Sequence, residues 1–224
     1  MPKTVFETIF DSAYLMFALA ASCLLLRSGH NSARWIFGVA TLTLFIGDAC
    51  HLIPRIFAFA HPASAALKRA KGAGRLAASV TMTLYYVMVA YGLARVYSYS
   101  FDSAASVWAA GWIVFVIMAV TRLLLLAFPG NHWLSGAPSG RFPLYRNLPF
   151  AMMGALLAAA FLAQWNASPN PNPFKPMPLA ILLSFAFYLP VALDDGRHPK
   201  RGMLMIPKTL TYVWMTVTYL RLTP

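Results

Sequence analysis

Long apolar segments recur along the whole chain, and they constrain its fold more than any other feature. An α-helix needs roughly 20 mostly apolar residues to cross the hydrocarbon core of a bilayer, and such windows follow one another from the first residues to the last. Of the 224 residues, 59% are hydrophobic and only 11% are charged. This leaves too little polar surface for a soluble domain of this size. The sequence therefore predicts an integral membrane protein.

The apolar segments predict an all-α, polytopic bundle of about seven transmembrane helices with very little mass outside the bilayer. The predicted helices cover residues 5–26, 35–60, 76–97, 103–128, 148–165, 177–193 and 203–222. Residues 68–75 are predicted to be a basic loop that contains two glycines, and Pro149 is expected in the first turn of the fifth helix. No segment is long and polar enough to fold separately in water, so residues 1–224 are expected to form a single domain.

The net charge of +12 indicates an orientation rather than a nucleic-acid partner. The basic residues lie in short loops between apolar segments, where cytoplasmic loops of membrane proteins concentrate them. The N-terminal tail and the loops after the second, fourth and sixth helices contain most of them, including Lys3, Lys71, Arg141 and Arg201. The N-terminus is therefore predicted to be cytoplasmic and Pro224 to lie outside. The bacterial inner (plasma) membrane is the expected location.

Charged and polar side chains also occur inside the apolar segments, where they usually face the interior of the bundle or a wet cavity. On two helices they lie at spacings that place them on one face. The members on the second helix are Asp48, His51 and Arg55, and those on the first are Glu7, Asp11 and Tyr14. Candidates on later helices are Tyr85, Tyr86, Arg122, Lys208 and Tyr212.

The depths of these residues predict a polar pocket in one half of the bundle. Asp48 falls near mid-membrane. The other charged candidates fall within about two helical turns of the cytoplasmic ends, at depths of roughly 5–10 Å; they are Glu7, Asp11, Arg55, Arg122 and Lys208. The pocket is therefore expected to open to the cytoplasm or the inner leaflet. Within it, Asp11 and Lys208 are expected to form an ion pair.

The residue types in this pocket favour acid–base chemistry on an anionic or amphiphilic ligand. A carboxylic acid in a medium of low dielectric holds its proton more tightly than in water, which suits a general acid or base, and a neighbouring imidazole can relay the proton. The candidate catalytic residues are Asp48, His51 and Asp11. The candidate substrate-binding residues are Arg55, Arg122, Lys208, Tyr85, Tyr86, Glu7, Tyr14 and Tyr212. No metal ligand set and no cofactor motif is recognised.

One segment resembles a known family. Phe45–Arg55 reads Phe-Ile-Gly-Asp-Ala-Cys-His-Leu-Ile-Pro-Arg and is similar to the Gly-Asp-Ala helix segment of the YhhN-type membrane proteins, the lysoplasmalogenases. Leu84–Tyr86 looks like the Leu-Tyr stretch of that family, and the chain length and compact bundle are also similar. The resemblance implies hydrolysis of the vinyl-ether bond of a lysoplasmalogen, a reaction that begins with protonation of an enol ether. The second acid of the family, in a late helix, has no counterpart at Leu182–Phe185.

Other classes of function remain open on the sequence. A transporter or receptor-like protein could bind a small anionic solute in the same pocket, and a structural or partner-binding membrane subunit would need no pocket chemistry. An opsin-like protein would need Lys208 near the middle of its helix and an external N-terminus, and both requirements run against the sequence. The expected partners are membrane lipids and a small amphiphilic or anionic ligand.

Overall fold

A computed structural model describes residues 3–30, 32–61, 64–97, 107–134, 141–165, 172–194 and 199–222. These ranges contain seven α-helices and no strand. The helices are α1 (Lys3–Leu26), α2 (Ala33–Ala60), α3 (Ala65–Val96), α4 (Val107–Ala127), α5 (Phe142–Ala163), α6 (Met177–Ala192) and α7 (Met205–Leu220), with short 3₁₀ helices at Pro129–Asn131 and Pro199–Leu204. The all-α prediction is confirmed. Residues 103–106, predicted to begin the fourth helix, and Pro224 lie outside the described ranges.

Five of the helices, α1 to α5, are long and apolar enough to cross a membrane. The last two are shorter: α6 and α7 have 16 residues each, about 24 Å of helix, against a hydrocarbon core of roughly 30 Å. The outer surface of the bundle is apolar, with large side chains such as Met16 and Leu124 mostly exposed. Such a surface suits lipid rather than water. The chain is therefore an integral membrane protein.

The predicted basic loop at residues 68–75 is wrong, because this segment forms the first turns of α3. The Ser64 side chain accepts a hydrogen bond from the Leu67 backbone N–H, which caps the helix. The glycines serve close packing rather than a turn. A Cβ atom at Gly74 would lie 2.1 Å from the backbone oxygen of Cys50, and one at Gly72 would lie 1.9 Å from that of Trp133. The absence of a side chain at these two positions therefore allows the neighbouring backbones to pack directly against α3.

The fifth helix also begins earlier than predicted. It starts at Phe142, and the proline near its N-terminus is Pro143, whereas Pro149 lies inside the helix. Proline is tolerated in the first turn because the N–H it lacks has no partner there. Inside a helix it removes one backbone hydrogen bond and promotes a kink. α2 contains a similar interior proline, Pro54, directly before Arg55.

Neighbouring helices in the sequence are mostly neighbours in space. α2 packs extensively against α1 and α3, α5 against α4 and α6, and α6 against α7, while α1 also contacts α7. The buried core runs through the middle of the bundle and includes Phe37, Tyr85, Met153 and Tyr219. At one end of the bundle, α1 and α7 begin and α2 ends. This arrangement brings the polar ends of these three helices together.

Candidate functional site

A cavity of about 220 Å³ opens between α1, α2 and α7 at that end of the bundle. Its polar lining consists of residues singled out from the sequence, namely Glu7, Asp11, Tyr14, Asp48, His51, Arg55 and Lys208, together with Thr209. Its apolar lining includes Phe10, Leu52, Met205 and Ile206. The two predicted stripes, one on α1 and one on α2, therefore face each other across the cavity. The cavity combines three carboxylates, two cations and apolar walls.

Asp48 is held towards α1 by the packing of the residue before it. A Cβ atom at Gly47 would lie 1.7 Å from Thr81 Oγ1 of α3, so only glycine allows α2 to approach α3 this closely. Asp48 lies roughly 100° further round the helix and points into the cavity. There the Tyr14 hydroxyl donates a hydrogen bond to Asp48 Oδ2 at 2.5 Å. Short bonds of this kind to a carboxylate are among the stronger hydrogen bonds in proteins.

Asp11 pairs with Arg55 and not with Lys208, so the predicted Asp11–Lys208 ion pair is wrong. Arg55 Nη2 donates to Asp11 Oδ2 at 2.7 Å and lies 3.8 Å from Glu7 Oε2. The reason is geometric: Arg55 lies near the end of α2, and its long side chain reaches the first turns of α1. Glu7, Asp11 and the Arg55 guanidinium thus form an ionic cluster at the end of the bundle where the cavity opens.

Lys208 lies deeper, among tyrosine rings. It is only 6% exposed, and its Nζ lies 5.0 Å from the ring centroid of Tyr212 and 5.4 Å from that of Tyr188. Within the described ranges no carboxylate approaches within ion-pair distance, and Asp48 supplies the opposite charge that acts on it from further away. Lys208 therefore forms cation–π contacts and shares the cavity with Asp48.

His51 lies one turn from Asp48 and also lines the cavity, but no hydrogen bond joins the two side chains in the described structure. Its Nδ1 is buried and has no hydrogen-bond partner among the described residues. The charges of four cations act on the ring, those of Arg55, Lys208, Arg75 and Lys71. The predicted relay of a proton between Asp48 and His51 therefore has no direct bond to follow and would need a bridging water.

Arg122 lies outside the lining of the cavity, in the packed interior. It is 1% exposed, and its guanidinium carbon is 3.4 Å from the ring centroid of Phe150. Among the described residues, Nε and Nη1 have no hydrogen-bond partner, and no carboxylate is within ion-pair distance. Unsatisfied buried donors on a charged group destabilise a fold. Tyr188 is a neighbour of Arg122 as well as of Lys208, so this ring lies beside both buried cations.

The remaining predicted residues belong to a tyrosine-rich core and not to the cavity wall. Tyr85 Oη lies 3.0 Å from Tyr219 Oη, and Tyr86 Oη lies 3.1 Å from Ser184 Oγ. Tyr212 packs edge-on against Tyr85, with ring centroids 5.7 Å apart. These side chains are behind Asp48 and Lys208, where they satisfy one another's hydroxyl groups. They shape the site without lining it.

Sequence reasoning missed Tyr188, which lies beside both buried cations. Its hydroxyl donates to Asn147 Oδ1 at 2.8 Å. Tyr188 does not belong to a row of polar residues along one face of α6, so helical spacing did not indicate it as a site residue. Tyr219, the partner of Tyr85, was also missed, although its spacing from Lys208 and Tyr212 places it on the same face of α7 and could have indicated it. Within the described residues no group of three or more His, Cys, Asp or Glu side chains is arranged to hold a metal ion.

No protein-family model, curated protein sequence or solved structure matches this chain. The resemblance of Phe45–Arg55 to the YhhN-type proteins is thus an expectation from the sequence. The geometry of the cavity is the basis for any function assigned to it.

Proposed function

We propose that this protein is a membrane hydrolase of the lysoplasmalogenase type, which acts on a lipid-like amphiphile by acid–base chemistry at Asp48. The observation that supports the proposal is the position of Asp48. It faces a cavity with both polar and apolar walls, it accepts a short hydrogen bond from Tyr14, and it shares the cavity with Lys208. A carboxyl group placed in this way can donate a proton to a bound substrate and be stabilised after it has done so.

The reaction follows from the chemistry of a vinyl ether. The protonated carboxyl of Asp48 gives its proton to the ether's β-carbon, and the C=C electron pair forms the new C–H bond. The resulting oxocarbenium ion lies beside the Asp48 carboxylate, which Tyr14 and Lys208 stabilise. Water adds to the cation and returns a proton to the carboxylate. The hemiacetal then breaks its C–O bond to the glycerol while its hydroxyl proton passes to the departing oxygen, which yields a fatty aldehyde and a glycerol phosphodiester with a free hydroxyl group.

The size of the cavity suits one end of such a substrate. At about 220 Å³ it is smaller than the roughly 300–1,000 Å³ of pockets that enclose a drug-sized ligand. The reacting bond and the adjoining groups would occupy it, while the hydrocarbon chain stays in the bilayer. Phe10, Leu52 and Ile206 would contact the first carbons of the chain, and the Arg55 cluster would lie next to the polar head.

Turnover of a lysoplasmalogen by the purified protein tests the proposal, with Asp48→Asn as the critical variant. The amide keeps the shape of the side chain but cannot give up a proton as the acid does, so the rate should fall about 100-fold or more. Thermal unfolding should show that the variant is folded. Asp194→Asn is the matched control. Asp194 is a loop carboxylate that pairs with Arg201, so this variant should keep full activity. Full activity of Asp48→Asn, or no turnover by the wild type, would contradict the proposal.

A second candidate function is the binding or transport of a small anion. The excess of positive charge among the buried groups Arg122, Lys208 and Asp48 favours it. Arg122 and Lys208 are both buried, and among the described residues Asp48 is the carboxylate that acts on Lys208, since Asp11 is paired with Arg55. Two cations against one carboxylate would attract an anionic solute. Flux of a labelled organic anion into sealed proteoliposomes, reduced by Arg122→Gln, would support this function over the hydrolase. Turnover in detergent with no such flux would support the hydrolase.

A further inference from the structure

Two buried cations, Arg122 and Lys208, share one region of the interior between α4, α6 and α7. Arg122 belongs to α4, and Lys208 lies in the first turn of α7. The Tyr188 side chain of α6 is next to both: its ring centroid is 5.4 Å from Lys208 Nζ, and its hydroxyl group is close to the Arg122 guanidinium. The charge of Arg122 also acts on Lys208. The two positive charges therefore lie near each other and away from water.

The carboxylates of the described residues do not balance this charge. Asp48 acts on Lys208 from beyond ion-pair distance. The other three described carboxylates lie against arginines elsewhere, at Arg55 and at Arg201. In the described part of the chain, Arg122 thus has no carboxylate partner of its own. A buried charge without a partner is costly, so the interior favours a further negative charge close to these two cations.

Arg122 also has N–H groups that need an acceptor. Its Nε and Nη1 are buried, and neither has a hydrogen-bond partner among the described residues. The Phe150 ring lies against one face of the guanidinium, with its centroid 3.4 Å from the guanidinium carbon, but N–H groups point outwards in the guanidinium plane. The Tyr188 hydroxyl donates its own proton to Asn147 Oδ1 at 2.8 Å. An acceptor that carries negative charge would satisfy these N–H groups and offset the excess charge together.

We propose that Arg122 binds a small inorganic anion of the size of chloride, with the charge of Lys208 in support. The anion accepts a hydrogen bond from Nε or Nη1 of Arg122. It must be small, because both nitrogens are buried and aromatic rings pack around the guanidinium. Water could accept the same hydrogen bonds, but it would leave both charges unbalanced. The inference rests on the two cations of the second candidate function and names the ligand class, and it requires neither transport nor hydrolysis at Asp48.

Thermal unfolding of the purified full-length protein in detergent tests the site. Sodium chloride replaces sodium gluconate at constant ionic strength, so the charge of the anion stays the same and its size changes. Chloride should raise the Tm of the wild type until the site is saturated, because a ligand that binds the folded state stabilises it. Gluconate is too bulky for the buried nitrogens and should have no such effect. The same Tm in both salts at every concentration would overturn the proposal.

Arg122→Gln tests whether the chloride effect belongs to this arginine. The variant should bind chloride about tenfold more weakly or less, so its Tm should respond only at higher chloride concentration. In gluconate it should unfold at the wild-type Tm or above it, since a buried charge without a partner is gone. Arg95→Gln is the matched control, because Arg95 is an exposed cation in the last turn of α3, and it should respond as the wild type does. An unchanged chloride response in Arg122→Gln, or a lost one in Arg95→Gln, would contradict the assignment.

Bromide locates the site in the wild type and does not depend on how well the Arg122 variant folds. Crystals grown in sodium bromide should give an anomalous scattering peak beside Nε or Nη1 of Arg122, and crystals without such a peak would refute the proposal. Asp48→Asn separates this site from the proposed hydrolase. That variant should lose turnover and keep the chloride response, so failure of the hydrolase and failure of the anion site are distinct results.

Discussion

Asp48 and Arg55 lie two turns apart on α2 and face the same cavity, yet their surroundings differ. Arg55 is near the open end and satisfies two acids of α1. Asp48 is deeper, bonded to the Tyr14 hydroxyl and accompanied by Lys208. A carboxylate that is bonded to the guanidinium of a neighbouring helix contributes to holding the two helices together. This contrast favours a structural role for Asp11 and is the reason that the proposed chemistry is placed at Asp48.

Double variants at Asp11 test which cation it pairs with. Asp11→Asn should lower the free energy of unfolding by on the order of 2 kcal/mol, because it leaves a partly buried guanidinium without its partner. Adding Arg55→Met should restore part of this loss, since both charges are then gone. Thermal unfolding in detergent measures the effect. Asp11→Asn/Lys208→Met is the control, and its losses should be additive. Recovery in the Lys208 double variant, and none with Arg55→Met, would mean that the ion pair is assigned to the wrong cation.

At the scale of elements, α3 is one continuous helix with a basic first part and a second part that contributes to the buried core. Its 32 residues span about 48 Å, more than the roughly 30 Å of the hydrocarbon core. The basic first turns therefore extend towards the headgroups, while the rest supplies Tyr85 and Tyr86 to the core. Close contact with α2 through Gly74 and Gly47 keeps α2 in the position that turns Asp48 towards α1. The geometry of the site thus depends on two glycines that touch no ligand.

Substitution of Gly74 tests this contact. Gly74→Ala would place a methyl group against the Cys50 backbone, and the helices must separate, at a cost of about 1–3 kcal/mol. Gly111→Ala is the control, because a Cβ atom there meets nothing within 4 Å. In a helix that substitution should be neutral or stabilising by up to about 1 kcal/mol. Thermal unfolding of both proteins in the same detergent gives the comparison. Equal stability of the two variants would show that Gly74 is not a contact between helices.

At the scale of the whole molecule, the two cavities are at the same end of the bundle. The Asp48 cavity lies where α1 and α7 begin and α2 ends, and a second, largely apolar groove lined by Leu76, Phe128 and Trp133 lies where α3 begins and α4 ends. The basic residues of the first turns of α3 and of α5 are also at this end. If the positive-inside rule sets the orientation, both cavities face the cytoplasmic leaflet. A substrate drawn from that leaflet would reach Asp48 without crossing the membrane.

Cysteine labelling of intact cells tests the orientation. With Cys23 and Cys50 replaced, a single cysteine at Ala66, exposed in the first turn of α3, should resist a membrane-impermeant maleimide. A single cysteine at Gly29, exposed in the turn after α1, should react. Both should react once the cells are opened. The reverse pattern would place the cavities on the outer side and would exclude access from the cytoplasmic leaflet.

Much of the fold could be predicted because the information is local. The ends of α1, α2 and α6 were predicted to within about two residues. Each of these apolar segments stops at polar residues, and that change marks the point at which the helix leaves the hydrocarbon core. The stripe of Asp48, His51 and Arg55 followed from helical spacing alone. The start of α3 could not be predicted in this way. Glycines next to lysines are typical of loops in water, whereas here Gly72 and Gly74 allow the backbones of neighbouring segments to pack closely against a helix.

The sequence by itself determined the class of the protein, the number of helices and the candidate polar face, because these depend on hydropathy and on a period of 3.6 residues. Only the tertiary structure decided which charges meet. Asp11 is bonded to Arg55, Lys208 is surrounded by tyrosine rings, and Arg122 is buried against Phe150. These choices depend on the distances between helices and on rotation about their axes, to which many distant packing contacts contribute. A single stretch of sequence contains none of that information.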